Sequence, residues 1–344
     1  MSKDVYILAI ESSCDETSCS IVKNGNEIVS NIVSSQINIH KEFNGVIPEV
    51  ASRIHVENIS LVINKALEKA SMKVEDVDAI AFTKGPGLIG CLHIGNQAAK
   101  TLAFLYQKPL IGIHHITGHI YANNFVTDIE YPLLALVVSG GHSELVYIES
   151  EYNFKVIGET MDDAIGEAYD KVARLLGLPY PGGPEIDKLA KLGKPIYQFP
   201  KVKMDGEFDF SFSGLKSASL QLKQRLLRKN EEFENCDIAC SFQEAVLGQL
   251  MDRTKKAIDK LNPKMLVLAG GVAANSRLRE LVLNDLQTKF PQVKMFVPPL
   301  WCCTDNAAMI GASGYVAFKH HLFDDYDVAS RPSIDIEDVT CEKN

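Results

Sequence analysis

Val5-Tyr6-Ile7-Leu8-Ala9-Ile10 runs straight into Glu11-Ser12-Ser13-Cys14-Asp15-Glu16-Thr17, and a second apolar run follows over residues 18–22. Lys23-Asn24-Gly25-Asn26 then leads to a third run over residues 27–33. Short apolar runs separated by small polar residues read as strands, and a turn rich in Asn and Gly makes them an antiparallel meander. The pattern returns further along. Residues 133–138 form a buried apolar run, Ser139-Gly140-Gly141-His142-Ser143 a turn, and Glu144-Leu145-Val146-Tyr147-Ile148 a strand. A third place, Met265-Leu266-Val267-Leu268-Ala269, enters Gly270-Gly271-Val272-Ala273-Ala274-Asn275 and a helical stretch over residues 276–286. Both halves therefore open with strand, small polar loop, strand, a repeat of architecture rather than of sequence.

Helical patterns lie between these strands. Val46-Ile47-Pro48-Glu49-Val50-Ala51-Ser52-Arg53 starts a helix with Pro near its first turn, continued by Leu61, Ile63 and Leu67. Asp76-Val77-Asp78-Ala79-Ile80-Ala81-Phe82-Thr83 reads as a strand feeding the turn Lys84-Gly85-Pro86-Gly87-Leu88-Ile89-Gly90, then a helix over residues 92–106 and a short strand over 110–113. Strands alternating with helices in two similar halves indicate an α/β protein with mixed sheets and a cleft between two lobes. Tyr131-Pro132 marks the boundary.

A chain of 344 residues carries two domains on this scale, and 46% hydrophobic with 23% charged residues describes a globular protein. The formal net charge of -9 argues against gripping nucleic acid with the whole surface, while leaving room for a local basic strip. No charged segment followed by an apolar one opens the chain, and no apolar run is long enough to cross a bilayer. The expectation is a cytoplasmic protein with no membrane contact. Eight cysteines with no Cys-x-x-Cys pair fit reduced thiols rather than a disulfide framework.

The densest chemistry lies in Ile113-His114-His115-Ile116-Thr117-Gly118-His119. If the segment is helical, His115 and His119 stack on one face, one turn apart, as half of a metal site. In Trp301-Cys302-Cys303-Thr304-Asp305-Asn306, Thr304 or Asp305 reads as the N-cap of the following helix. Asp305 has a second reading, as the carboxylate completing a two-histidine set, with Cys302 and Cys303 as competing thiolate ligands. The loops at residues 11–17, 138–143 and 270–275 each follow a strand and suit close approach of backbone amides to a phosphate or ribose. The P-loop and the Gly-x-Gly-x-x-Gly fingerprint are both missing. Asp162-Asp163-Ala164-Ile165-Gly166-Glu167-Ala168-Tyr169-Asp170-Lys171 reads as a helix continuing to Leu176, with Asp163, Glu167 and Asp170 on one side, either solvated or facing ligand. Asp187 on the next helix presents the same choice. Lys216, Lys223, Arg225, Arg228 and Lys229 form the one basic strip, either a solvated face or a contact for nucleic-acid phosphates.

Taken together these stretches resemble the TsaD/Gcp family, the tRNA adenosine threonylcarbamoyltransferases of the ASKHA superfamily, which also holds actin, hexokinase and heat-shock chaperone ATPases. The resemblance is carried by residues 9–17, 48–53, 85–88, 115–119, 138–142, 166–171, Pro181-Gly182-Gly183-Pro184, Phe212-Ser213-Gly214-Leu215-Lys216, 270–275 and 304–306, in the family's order. Small departures are Tyr169 where Phe is frequent and Ser143 where Thr is common. The form of residues 48–53 is similar to bacterial or organellar members.

The resemblance implies a two-lobed ASKHA fold. Residues 1–130 would carry His115 and His119, residues 131–325 the nucleotide loops and Asp305, and residues 326–344 a tail. It implies one divalent metal on His115, His119 and Asp305, iron before zinc. Val138, Ser139, Gly140, Gly141, His142, Asp170, Gly183, Asp187 and Asn275 would bind threonylcarbamoyl-AMP, or ATP or ADP. The implied reaction moves the threonylcarbamoyl group to N6 of adenosine 37 in tRNAs reading codons that begin with A. Implied partners are tRNA, a TsaB-like paralogue, a TsaE-like ATPase and a separate threonylcarbamoyl-AMP synthase. His142 and Glu167 are candidates for taking up the amine proton. Two other readings stay open at this point. One is a metal-dependent (glyco)peptidase, although Ile116 stands where His-Glu-x-x-His has its base. The other is an ATP-binding or ATP-hydrolysing regulator of the same fold.

Overall fold

The opening run forms β1 (Tyr6–Glu11), fully buried from Ile7 to Glu11. This is a computed structural model describing residues 3–200, 204 and 206–340. β2 (Glu16–Lys23) and β3 (Glu27–Ser35) follow as the antiparallel meander. Next come α1 (Pro48–Ala70), β4 (Ala79–Gly85), α2 (Ile89–Tyr106), β5 (Leu110–His114) and α3 (His115–Tyr121). The sheet order is β3-β2-β1-β4-β5, with β1, β4 and β5 parallel. Parallel strands need both faces covered. On one face Ile59, Val62, Ile63 and Ala66 of α1, with Ala99 and Ala103 of α2, pack on Leu8, Ile10, Ile80 and Phe82.

The second unit begins with β6 (Leu133–Val138), β7 (Ser143–Ile148) and β8 (Phe154–Glu159). Helices α4 (Ile165–Leu176), α5 (Gly182–Ala190), α6 (Ser213–Lys229) and α7 (Asn235–Leu261) precede β9 (Met265–Ala269). After α8 (Ser276–Glu280) and a π-helical stretch, Leu281–Leu286, β10 (Lys294–Phe296) closes the sheet. Its order, β10-β9-β6-β7-β8, repeats that of the first sheet, with a hairpin and two parallel strands in the same relative places. The repeat of architecture read in the sequence is a repeat of topology.

The chain forms two compact units, one of Met1–Ile129, Glu149–Phe154 and Pro298–Asn344, the other of Glu130–Ile148 and Lys155–Val297. The chain thus turns back into the first unit at Pro298, so Asp305 belongs there and not to a second lobe of residues 131–325, where the sequence reading puts it. The cause is α9 (Ala307–Lys319), which covers the second face of the first sheet. A Cβ on Gly311 would stand 2.5 Å from Val22, and one on Gly314 2.8 Å from Ala81, so only these small residues let the helix lie so close to the strands. Residues 326–340 are also more than a tail. Arg331 N donates to Lys84 O (2.9 Å), while just upstream Asp324 accepts from Lys84 Nζ (2.8 Å) and Gly112 N (2.7 Å).

Two helix starts also differ from expectation. α4 begins at Ile165, and Asp162 before it accepts from Phe212 N, Ser213 N and the hydroxyls of Ser211 and Ser213, fastening the start of α6. The N-cap of α9 is Asn306, whose side chain accepts from Met309 N at 3.3 Å. Neither Thr304 nor Asp305 caps it, which leaves the Asp305 carboxylate available elsewhere. Among the described residues no helix is long and apolar enough to cross a membrane.

Candidate metal centre and nucleotide loops

α3 is short and buried throughout, and its N-cap is a histidine. His114 Nδ1 accepts from Ile116 N (3.2 Å), and its Nε2 donates to Ile334 O (3.1 Å), so His114 holds the helix start and both of its ring nitrogens are used there. α3 lies against α9. Thr117 Oγ1 meets Ser313 Oγ at 2.9 Å, and a Cβ on Gly118 would stand 2.9 Å from Ile310. Ser18 Oγ accepts from Ala307 N (2.9 Å), tying the start of α9 to β2. Asp305, immediately before that start, is thereby carried to the histidines.

Asp305 Oδ1 lies 3.4 Å from His115 Nε2 and 3.2 Å from His119 Nε2. The two imidazoles sit edge to face, 4.8 Å between ring centres. One ligand atom from each of the three residues falls within 4.8 Å of the others. Both ring nitrogens of His119 are buried, and among the described residues neither has a hydrogen-bond partner of acceptable geometry. An orphaned buried polar atom costs about 1–3 kcal/mol, and an ion on the two Nε2 atoms and Oδ1 would use the one that faces Asp305. The donor set of two imidazoles and one carboxylate is that of a site with positions left open for substrate. These residues fit a single metal ion.

The charges agree. Burial works to lower the His115 pKa, but Asp305 and Glu11 outweigh it and hold the ring well above its ordinary value. Burial works to raise Asp305, and His115 and His119 outweigh it in turn and hold the carboxyl well below the usual range. Burial, then Asp305 and Asp15, push Glu16 up to about 9.

Glu11, in the first loop, is the residue the sequence reading passed over. It is fully buried, and its Oε2 lies 3.2 Å from His115 Nδ1. The signal available was a carboxylate closing a strand with no exposed position. Cys302 and Cys303 do not join the centre. Burial pushes Cys302 up to about 12, and Cys303 Sγ donates to Pro299 O at 3.5 Å.

In the second unit the predicted nucleotide residues form a connected cradle. Gly270 has φ +89° and a Cβ there would collide with Val138 O, so β9 and β6 release their loops side by side only with glycine. Ser139 O accepts from Gly166 N (3.1 Å), and Ser139 Oγ accepts from His142 N (3.0 Å) and Gly141 N (3.3 Å). One turn along α4, Asp170 Oδ1 accepts from Gly182 N (2.7 Å) at the start of α5. Burial raises the Asp170 pKa. Asp187 on α5 accepts from Ser276 Oγ (3.0 Å) and Ser276 N (3.3 Å). Beside it Asn275 caps α8, accepting from Leu278 N (2.9 Å) while its amide donates to Gln243 Oε1 (2.9 Å). Space is open around Gly140, Gly141 and Gly183, where a Cβ would meet nothing within 4 Å. Glu167 is ion-paired with Lys171 at 2.6 Å, as is Asp163, so the acidic side of this segment is partly neutralised.

The basic residues of α6 do not form one strip. Lys216 and Arg225 are nine positions apart and so point to opposite sides at about 100° per residue. Lys223 Nζ donates to Leu175 O (2.8 Å), and Lys229 pairs with Glu231 (3.4 Å).

Comparison with known proteins gives one consistent result. The family model described as TsaD, tRNA N6-adenosine threonylcarbamoyltransferase, matches residues 27–312. The tRNA N6-adenosine threonylcarbamoyltransferase of Listeria welshimeri is 54% identical over 340 residues, 98% of this chain and 99% of the relative. That of Staphylococcus carnosus is 53% identical over 344 residues, covering 100% of both chains. Among solved structures, HypF of T. kodakarensis aligns with TM-score 0.63 at 14% identity, over 92% of this chain and 48% of that one. At that identity it shares the fold alone, the ASKHA arrangement of two mixed sheets flanked by helices.

Proposed function

Since the chain belongs to the TsaD family and is a tRNA N6-adenosine threonylcarbamoyltransferase, we propose that His115, His119 and Asp305 hold one divalent metal and that the second unit's loops bind the donor. The donor is threonylcarbamoyl-AMP and the acceptor N6 of adenosine 37 in tRNAs reading codons that begin with A. The observation that carries the metal assignment is the convergence of three ligand atoms within 4.8 Å at a buried, unbonded His119. Iron is favoured over zinc on family resemblance. When bound, the metal supplies Lewis acidity toward substrate oxygens.

The donor is a mixed anhydride and already activated, so no protein nucleophile is needed. The N6 nitrogen forms a bond to the carbamoyl carbon, the carbon–oxygen bond to phosphate breaks, and AMP leaves with the electron pair. The chain's own residues position and stabilise. The open space beside Gly140, Gly141 and Gly183 leaves room for the donor's phosphate against these loops. Asp170 and Asp187 accept from ribose or amine groups, and Val138, Ser139 and Asn275 shape the loops that do so. His142 takes the amine proton; Glu167, tied to Lys171, is the weaker acceptor. The same loops accommodate ATP or ADP.

Partners follow from this reading: tRNA, a TsaB-like paralogue, a TsaE-like ATPase, and a separate threonylcarbamoyl-AMP synthase as source of the donor, all in the cytoplasm. Transfer of labelled threonylcarbamoyl from the adenylate to tRNA tests the assignment. Label in tRNA is expected with the adenylate and its partners present; release of the label to water alone would contradict it.

A further inference from the structure

Glu11 ends β1 with its side chain at 0% exposure, and each of its oxygens is engaged. Oε1 accepts from Ser13 N (2.5 Å). Oε2 accepts from Thr83 Oγ1 (2.6 Å) and faces His115 Nδ1 at 3.2 Å, where Ser13 Oγ also lies 3.3 Å away. The other ring nitrogen of His115, Nε2, faces Asp305. Burying a carboxylate this completely is costly unless charge or hydrogen bonds answer it.

We propose that Glu11 is a positioning residue for the metal centre: it fixes the proton of His115 on Nδ1 and so presents the Nε2 lone pair toward Asp305 and His119. The inference rests on the metal reading above. An ionised carboxylate only accepts, so the atom facing it must be the one that carries hydrogen. Thr83 and Ser13 N hold the carboxylate so that it cannot swing away, and the ring plane is set with the tautomer. Thr83 on β4 is thereby a second, indirect contributor. His119 has no such partner, since its Nδ1 is unbonded, so the two histidines differ in how firmly they are held.

The experiment uses the full chain and zinc alone. Zinc affinity is measured by chelator competition for the wild type, Glu11→Gln and Thr83→Val, with unfolding midpoints recorded alongside. Histidine-ring nitrogen NMR, assigned with His115→Ala, reads the tautomer. The expected result is a dissociation constant raised roughly 10–100-fold in Glu11→Gln, a smaller rise in Thr83→Val, and loss of the hydrogen-bonded Nδ1 proton in Glu11→Gln. If Glu11→Gln does not fold, Thr83→Val carries the affinity test, and the wild-type tautomer carries the other. Affinities of the variants within two-fold of wild type, or a His115 proton on Nε2 in the zinc-loaded wild type, would overturn the proposal while leaving the metal reading intact. A wild type that takes up no zinc would overturn both.

Discussion

Thr117 Oγ1 and Ser313 Oγ meet at 2.9 Å, both fully buried, and this contact joins the helix bearing the two histidines to the helix that Asp305 leads. The two elements come from residues nearly two hundred positions apart, so the ligand set depends on this packing. Gly118, whose Cβ would stand 2.9 Å from Ile310, is a second point of close approach. Gly118→Val crowds the Ile310 and Met309 side chains of α9 and is expected to destabilise the protein by about 1–3 kcal/mol and to weaken metal binding. Urea unfolding with metal titration checks this; unchanged metal affinity would show that the helix pair tolerates the crowding.

Asn306→Ala removes the cap of α9 without touching a ligand. The expected loss is about 0.5–2 kcal/mol, read as a lower urea midpoint at unchanged slope. Asp305→Ala, by contrast, removes no cap, and any stability it loses arises at the metal centre.

Asp162 gives a pH prediction. Burial acts to raise its pKa, but the hydroxyls of Ser211 and Ser213 and the amides of Phe212 and Ser213 outweigh that and lower it. A carboxyl lowered in the folded state contributes stability that is present above its ordinary titration range and lost as pH falls through the lowered folded value. Asp162→Ala is therefore expected to cost about 1 kcal/mol near neutral pH, with the gap to wild type closing in acid. An equal gap at both pH values would contradict the assignment.

The Cys302 thiol, buried and pushed up to about 12, is expected to resist alkylation in native protein at pH 8 and to react once urea unfolds the chain. Rapid native labelling, mapped by mass spectrometry, would show an exposed thiolate instead.

On α6 Lys216, Arg225 and Arg228 are exposed cations with no carboxylate partner among the described residues, and Arg225 and Arg228 lie on one side of the helix. Reversing both charges is expected to weaken tRNA binding and flatten its dependence on salt. Unchanged affinity would place the tRNA contact elsewhere.

Much of this was legible in the sequence. Apolar runs gave β1 to β7 and β9, and their recurrence pointed to the repeat, while β8 and the three-residue β10 carry too short or too mixed a pattern to be read. His115 and His119 were legible because one helical turn sets their spacing. The return of residues 298–340 to the first unit was not, because it depends on Gly311 and Gly314 fitting under Val22 and Ala81, a contact with no local trace. Local propensity could not separate Asp305 from Asn306 as the cap, since both residue types serve equally well. Asp162 was read into α4 because its true partners lie some fifty residues downstream. The division of the α6 cations was available from helical spacing, and reading them as one strip overlooked it.

The central claim is that His115, His119 and Asp305 hold one metal ion used in transfer. The direct measurement is metal content per chain alongside label transfer to tRNA, in wild type, His119→Ala and Asp305→Ala. The expected result is one iron or zinc per wild-type chain, with metal and transfer lost together in both variants. Full metal content in either variant, or full transfer without metal, would contradict it.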